Sequence, residues 1–243
     1  RAMTGLATVM TEVREPELVR RAERLFARSL PVARSLIALR PVAAAILACD
    51  AALDGGTGGE TKGVHRALSA RLAAAFDGAT LARDWPWPEP VVTYENAILP
   101  RALVVGGRRM EDERMVGVGC EVLDWLIAAQ TSKDGTFSPI GNGWWPRGGA
   151  RSQFDQQPIE ATATLLAAEA AYSVTGAERY RGAARMAYAW FLGDNLLGVQ
   201  LADASSGGCF DALIPRGVNE NQGAESTLMW LTALEHMRHL GSR

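Results

Sequence analysis

The stretch Gln157-Pro158-Ile159-Glu160-Ala161-Thr162 stands between a long polar segment and an apolar, Ala/Leu-rich run. Two similar stretches, Thr93-Tyr94-Glu95-Asn96-Ala97 and Gln222-Gly223-Ala224-Glu225-Ser226-Thr227, begin 64 residues before it and 65 residues after it. A period of this size indicates a repeated supersecondary unit that buries its apolar face only against its neighbours. The repeat also puts one polar residue of each stretch at an equivalent position, namely Asn96, Glu160 and Glu225. We expect these three side chains to converge on one end of the molecule.

The composition is typical of a globular domain. With 243 residues, of which 48% are apolar and 21% charged, the chain can bury a sizeable core in one domain over 1–243. A net charge of -2 and a pI near 6.0 argue against nucleic acid or an anionic membrane as the main partner. The first thirty residues are dense in Arg and Glu, unlike a signal peptide, and the apolar segment 31–53 is interrupted by Arg34, Arg40 and Asp50. The sequence therefore predicts a cytoplasmic protein without a membrane span.

The cysteines and histidines do not form a recognisable metal or redox motif. Cys49, Cys120 and Cys209 are odd in number and lack such spacing, so we predict three reduced thiols. His236 and His239 lie three residues apart on the last predicted helix, but no third ligand is evident, which favours a solvated helix end. We therefore predict no metal, no cofactor and no disulfide.

Helical periodicity extends through almost the whole chain, and strand-like alternation never exceeds a few residues. The predicted helices are 15–30, 35–53, 61–76, 94–105, 111–130, 158–174, 178–192 and 223–240. Pro41 is expected to kink or break the second of them, and Asp77-Gly78 to close the third. The prediction is an all-α fold.

The connections between these helices alternate in length. Val174-Thr175-Gly176-Ala177 and Gly106-Gly107-Arg108-Arg109 are predicted to be tight turns, whereas 131–157 and 194–221 are long, Gly-rich and aromatic. Loops longer than about 12–15 residues in compact domains are usually functional. The alternation indicates helical hairpins stacked side by side into a toroid, with the long loops at one open end. The inner helices would begin where the three repeats begin, with their amino termini at that end.

Two motifs resemble a known superfamily. Tyr172-Ser173-Val174-Thr175-Gly176-Ala177-Glu178-Arg179-Tyr180 resembles the Y-x-x-T-G-x-x-x-Y turn of (α/α) toroid, six-hairpin glycosidase-like proteins, and Asp134-Gly135-Thr136-Phe137 is similar to their D-G-x-[FW] entries to sugar-facing loops. More narrowly, 141–164 and 207–231 resemble a bacterial family of toroid domains associated with glycosyltransferases. The resemblance extends from Trp85 onward and implies a toroid that handles carbohydrate. A complete ring needs more chain than the four to five hairpins counted here, so either the toroid is open and shortened or further chain lies upstream.

The open end of such a toroid would carry the residue types that bind sugars. Carboxylates, amides and Arg bind hydroxyl groups, and aromatic rings stack on the C–H faces of the sugar. The predicted substrate-binding residues are Trp144, Trp145, Tyr94, Asn96, Arg151, Gln157, Asp211, Asn219, Asn221, Gln222 and Glu225. Trp85 and Trp87 add another aromatic pair. The alternative is that these Trp side chains only pack against one another.

Glycoside hydrolysis commonly uses two carboxyl groups, one as acid and one as base or nucleophile. We predict Asp155 and Glu95 as this pair, with Glu160 as a further catalytic candidate, because they precede or open inner helices. Capping of a helix start is the alternative role for Asp155, Glu160 and Glu225. The predicted function is a cofactor-independent, glycoside hydrolase-like enzyme acting on an oligosaccharide or glycan. The alternative is a non-catalytic glycan-binding or scaffolding module associated with a glycosyltransferase.

Overall fold

Helices make up 61% of the structure and its strands are few and short, which confirms the all-α prediction. The computed structural model describes residues 1–77 and 84–241. It divides into two compact units, one formed by Arg1–Thr80 with Ile98–Cys120 and the other by Leu81–Ala97 with Glu121–Arg243. Within the described ranges, no helix combines the length and the apolarity that crossing a membrane requires.

The first unit is a packed set of helices. They are α1 (Ala2–Glu12), α2 (Pro16–Arg34), α3 (Leu39–Asp54), α4 (Glu60–Ala75), α5 (Ile98–Met110) and the first part of α6 (Glu113–Ala129). Helix α3 is central and packs against α1, α4 and α5. Its buried side chains include Val42, Ile46 and Cys49, because an almost unbroken apolar sequence leaves no polar face on the helix.

Two helix starts in this unit depart from the sequence prediction. Helix α3 begins at Leu39, and Pro41 therefore lies in its first turn, where proline removes no helical hydrogen bond, so it neither kinks nor breaks the helix. Helix α1 was not predicted at all. The predicted stop at Asp77-Gly78 reaches into the segment outside the described residues.

The prediction that Gly106-Gly107 forms a turn is wrong. Both glycines are buried inside α5, which continues to Met110, and the chain turns instead at Glu111, whose φ is 56°. A Cβ atom on Gly107 would lie 2.9 Å from the main-chain nitrogen of Val116. These glycines therefore allow α5 and the start of α6 to approach each other closely, and do not end a helix.

The second unit contains the remainder of α6 together with α7 (Pro158–Thr175), α8 (Glu178–Ala189) and α9 (Ala224–Gly241). Helix α7 packs against both α8 and α9, and its Ala-rich sequence is buried on most of its surface. Gly176, with a φ of 66°, ends α7 in the left-handed conformation and allows the tight turn into α8 that the sequence predicts.

Short strands organise the long loops of this unit. Strand β1 (Val91–Val92) pairs antiparallel with β2 (Trp145–Pro146), and β3 (Ala212–Ile214) pairs with β4 (Gly217–Asn219). The helix that follows the second repeat begins at Pro158, as predicted, and the helix that follows the third begins at Ala224, one residue after its predicted start, whereas α5 begins at Ile98, four residues after Tyr94. The first repeat is therefore a loop and its residues do not open a helix.

Candidate functional site

The second unit has a cavity of about 500 Å³ at the starts of α7 and α9. Its lining includes Pro158 and Ile159 from the first turn of α7 and Ala224 from the first turn of α9, so both amino termini border the same space. Polar side chains from the two long loops and from the first turn of α9 complete the lining, namely Asn142, Asp155, Gln157, Asp211, Asn219, Glu225 and Ser226. Five of these seven are predicted site residues, and the sequence analysis missed Asn142 and Ser226.

Gln156 holds these loops in place. Its side chain is fully buried, where its Nε2 donates to Ser138 Oγ at 3.1 Å and its Oε1 accepts from Trp190 Nε1 at 3.0 Å. Its main chain exchanges hydrogen bonds of 2.9 and 3.1 Å with Leu213. The two long loops are therefore joined next to Asp155. Nothing in the spacing of the sequence distinguishes this glutamine from its neighbour Gln157.

Asp211 is a carboxylate fixed by hydrogen bonds. It accepts from the Gly223 N–H at 2.8 Å, from Ser226 Oγ at 2.6 Å and from Asn221 Nδ2. Partial desolvation, the largest single effect, raises the pKa of Asp211, but the bonds from Ser226, Asn221 and Gly223 together outweigh it and leave the pKa below its usual value. The side chain is therefore ionised at neutral pH and anchors the start of α9.

Asp155 differs from Asp211 in being exposed. Its backbone has a φ of 59°, an uncommon conformation for a non-glycine residue, and its carbonyl oxygen accepts the Asn142 N–H at 3.1 Å. Its carboxyl oxygens make no hydrogen bond or ion pair within the described chain, so Asp155 does not act as the cap of α7. Both oxygens are available to a molecule in the cavity.

The amide side chains around the cavity fall into two groups. Gln157 precedes α7 without capping it through its side chain, and it lines the cavity. Gln222 instead donates to Asp203 Oδ2 at 2.8 Å and accepts from Ser206 Oγ at 2.8 Å. Hydrogen bonds from Ser205, Ser206 and Gln222 lower the pKa of Asp203. Asn221 likewise donates to Asp211. Gln222 and Asn221 therefore bind acidic side chains, and neither is among the described lining residues.

Glu160 is buried and forms hydrogen bonds with the first repeat. Only 3% of its surface is exposed, and it accepts hydrogen bonds from the Asn96 amide at 3.0 Å, the Asn96 N–H at 3.3 Å and the Glu95 N–H. These bonds hold Glu95 in a left-handed conformation with a φ of 46°. Neither Glu95 nor Glu160 is among the described residues that line the cavity. The structure therefore brings Asn96 and Glu160 together, and Asp155 is the only one of the three predicted catalytic residues among the described lining.

The aromatic residues of the loops mainly contact one another. Trp145 stacks on Trp125 with ring centroids 5.5 Å apart and 10° between the planes, and Trp85 packs edge-on to Trp145 at 4.8 Å. Trp85 and Trp87 are buried, which favours packing over sugar contact for this pair. Trp144 and Tyr94 remain about half exposed, at 46% and 49%, but neither lines the cavity among its described residues.

Arg151 is used within the protein. Its guanidinium donates to the carbonyl oxygens of Ala129 and Ser138, the latter at 3.0 Å, and desolvation lowers its pKa. It therefore ties the long loop 131–157 to the end of α6, and sugar binding by Arg151 stays a prediction.

The histidines lie away from the cavity lining that the structure describes. His236 Nδ1 is 2.5 Å from Glu169 Oε2, on facing positions of α9 and α7. Within residues 1–77 and 84–241, no three His, Cys, Asp or Glu side chains are grouped to hold a metal ion. The groups available at the cavity for acid–base chemistry are carboxyl groups.

Comparison with known proteins identifies the fold. The sequence matches no protein-family profile, and no curated protein matches it. Among solved structures, a GH76 alpha-mannanase from Bacteroides thetaiotaomicron has a TM-score of 0.71 at 9% identity, covering 100% of this chain and 69% of its own. Cellobiose 2-epimerase from Spirochaeta thermophila has a TM-score of 0.70 at 14% identity, covering 99% of this chain and 69% of its own.

A third structure, an unsaturated glucuronyl hydrolase specific for heparin, has a TM-score of 0.66 at 12% identity over 87% of this chain. The chain spans 59% of the length of that hydrolase. These structures are α/α toroids, and the likeness confirms the predicted fold, an all-α toroid. At these identities the likeness concerns the fold.

Proposed function

We propose that this domain is carbohydrate-active and that the cavity at the starts of α7 and α9 is a glycoside hydrolase-like active site. The observation that carries the proposal is the grouping of Asp155, Asp211 and Glu225 with neutral amides around one cavity of about 500 Å³. Carboxyl groups and amides are the side chains that bind sugar hydroxyls and that move protons in glycoside cleavage. The structural neighbours are named as a mannanase, an epimerase and a glucuronyl hydrolase, which supports a sugar as the ligand.

The three carboxyl groups differ in what they are free to do. Asp155 commits neither oxygen to a bond within the described chain, so it is our first choice for a proton-transferring group. Asp211 is held ionised by three donors, which suits it to stabilise positive charge that develops on the sugar ring in the transition state. Glu225 lines the same cavity and is the proposed second carboxyl group. Glu95, the partner predicted from the sequence, is the alternative.

Asp155→Asn tests the proposal most directly. We expect it to reduce product release from a panel of oligosaccharides by about 100-fold or more, since general acid–base groups contribute about 10²–10⁴-fold. Asp194→Asn is the matched control, because Asp194 is an exposed carboxylate outside the described lining. Turnover that is unchanged in Asp155→Asn would remove Asp155 from the mechanism.

Parallel substitutions identify the second carboxyl group. If Glu225 is the partner, Glu225→Gln reduces turnover as strongly as Asp155→Asn while Glu95→Gln has a much smaller effect. The reverse order would restore the pair predicted from the sequence. Both substitutions keep the size of the side chain, so each tests the charge and the proton and leaves the packing unchanged.

A second candidate function is a glycan-binding or scaffolding module that accompanies a glycosyltransferase. It is favoured by the bonds from Asn221 and Gly223 to Asp211, because they use this carboxylate to fix the start of α9. A module of this kind would release no product, would retain its affinity for sugar in Asp155→Asn and would lose it in Trp144→Ala, since Trp144 is the most exposed tryptophan of the described loops. Binding measured by calorimetry with wild type and both variants separates the two functions.

A further inference from the structure

The lining of the cavity at the starts of α7 and α9 has a marked chemical bias. It combines three carboxyl groups with three neutral amides, contributed by Asp155, Asp211, Glu225, Asn142, Gln157 and Asn219. None of the described lining residues is Lys or Arg. A site that holds an acidic sugar usually offers Arg or Lys to its carboxylate, because charge-assisted pairs are the strong ones.

Two of the carboxylates keep their charge. Asp211 accepts only from neutral donors, namely an N–H, a hydroxyl and an amide, so these bonds hold the negative charge and do not neutralise it. Asp155 is exposed and has no ion pair within the described chain. Counted by formal charge, these two residues together bring about -2 to the cavity. This count leaves Glu225 aside.

The amino termini of α7 and α9 make the potential in the cavity more positive, but their effect is smaller than that of the carboxylates. The amino terminus of a helix carries a partial charge of about +0.5, so the two helix starts together contribute about +1. Asp211 already occupies the Gly223 N–H at the start of α9, which leaves less of that positive potential for a ligand. The carboxylates therefore determine the sign of the potential, and it is negative.

We propose that this cavity selects its sugar by charge: the ring that it holds is neutral or carries a protonated amine, and rings that carry a carboxylate are rejected. The inference rests on the proposed function, since it concerns the same site. The physical reason is that a carboxylate in the cavity would lie among like charges with no cation to receive it, which suppresses binding. Hydroxyl groups and amines find acceptors on the carboxylates and both donors and acceptors on the amides.

The test uses oligosaccharides that differ only at C6. Three matched pairs, in gluco, manno and galacto configuration, each compare a neutral oligosaccharide with the uronate oligosaccharide of the same linkage and length. A glucosamine oligosaccharide is added to the gluco pair. Dissociation constants are measured by calorimetry at low salt and again at about 0.5 M salt, where screening shortens the range of the repulsion to a few ångströms.

In the configuration that the protein binds, we expect the neutral oligosaccharide to bind at least about tenfold more tightly than the matching uronate. This ratio corresponds to about 1.4 kcal/mol. The glucosamine oligosaccharide should bind at least as tightly as its neutral counterpart. Raising the salt should reduce the ratio between neutral and uronate ligands. Asp155→Asn combined with Asp211→Asn should reduce it by at least about fivefold, whereas Glu220→Gln, which removes an exposed charge outside the described lining, should leave it unchanged.

The outcomes distinguish a failure of the charge selection from a failure of the proposed carbohydrate function. Uronates that bind as tightly as the neutral sugars, or more tightly, would overturn the charge selection and leave a carbohydrate site in place. Circular dichroism checks that the double variant is folded. If the folded double variant has the same ratio between neutral and uronate ligands as the wild type, the charge selection is also overturned. The absence of binding for every pair would overturn both the proposed function and the inference.

Discussion

The starts of α7 and α9 look alike in sequence and differ in their surroundings. Each follows a long polar loop, and each carries a glutamate in its first turn, Glu160 in one case and Glu225 in the other, 65 residues apart. Glu160 is buried and binds the main chain of Glu95 and Asn96, whereas Glu225 is exposed and lines the cavity. The same residue at the same repeat position is therefore buried against the first repeat in one copy and lines the cavity in the other.

The largest expected effect is on the stability of these two helix starts. Glu160→Ala removes one of the two acceptors of the buried Asn96 Nδ2, which keeps its bond to Thr93 O, and the Glu160 acceptor of two main-chain N–H groups, and each unsatisfied buried group costs about 1–3 kcal/mol. We expect a loss of about 3 kcal/mol in the free energy of unfolding, measured with urea. Glu225→Ala, its matched control, should cost about 0.5 kcal/mol, the usual contribution of an exposed carboxylate to a helix start. Equal losses in the two variants would contradict the comparison.

The next largest effect is on the pH dependence of stability, and it tests the role of Asp211 at the start of α9. Because the pKa of Asp211 is lowered in the folded state, its bonds stabilise the protein fully above the unfolded value of about 3.9, and this contribution is lost as the pH falls through the lower folded value. Asp211→Asn should reduce stability by about 1 kcal/mol at neutral pH. It should also flatten the loss of stability on acidification below about pH 4, measured as urea midpoints against pH.

Asn221→Ala provides the control for this experiment. It removes one of the three donors to Asp211 and leaves the carboxylate in place, so the folded pKa should rise towards its usual value. The acid-induced loss of stability should then be smaller than in the wild type and complete at a higher pH. An acid limb that is identical in the wild type and both variants would show that Asp211 does not contribute to it.

The smallest expected effect distinguishes the glutamines that precede the two helices. Gln222 bonds to Asp203 and Ser206 at the surface, so Gln222→Ala should cost about 0.5 kcal/mol of stability. Gln157 lines the cavity, and Gln157→Ala should leave stability unchanged while it weakens the binding of the sugar. Urea unfolding and calorimetry with the best oligosaccharide of the panel measure the two effects. A loss of affinity in Gln222→Ala alone would reverse the assignment.

The helices could be predicted because their signals are local. Pro158 at the first position of α7 and Gly176 just after its last residue mark both ends, and apolar periodicity fills the interval. The Gly106-Gly107 pair could not be interpreted in this way. A glycine can end a helix or allow a close approach, and the neighbour that requires the close approach, Val116, is separated from it by a turn that the sequence did not locate.

The candidate site shows the same limit. The sequence by itself determined that carboxyl and amide groups stand at the starts of repeated helices, because both the repeat and the residue types are written in the chain. Only the tertiary structure decided that Glu160 faces the buried Asn96 while Asp155, Asp211 and Glu225 surround a cavity. The physical reason is that burial and hydrogen-bond partners come from segments distant in sequence, such as the bond that joins Glu160 to Asn96 across 64 residues.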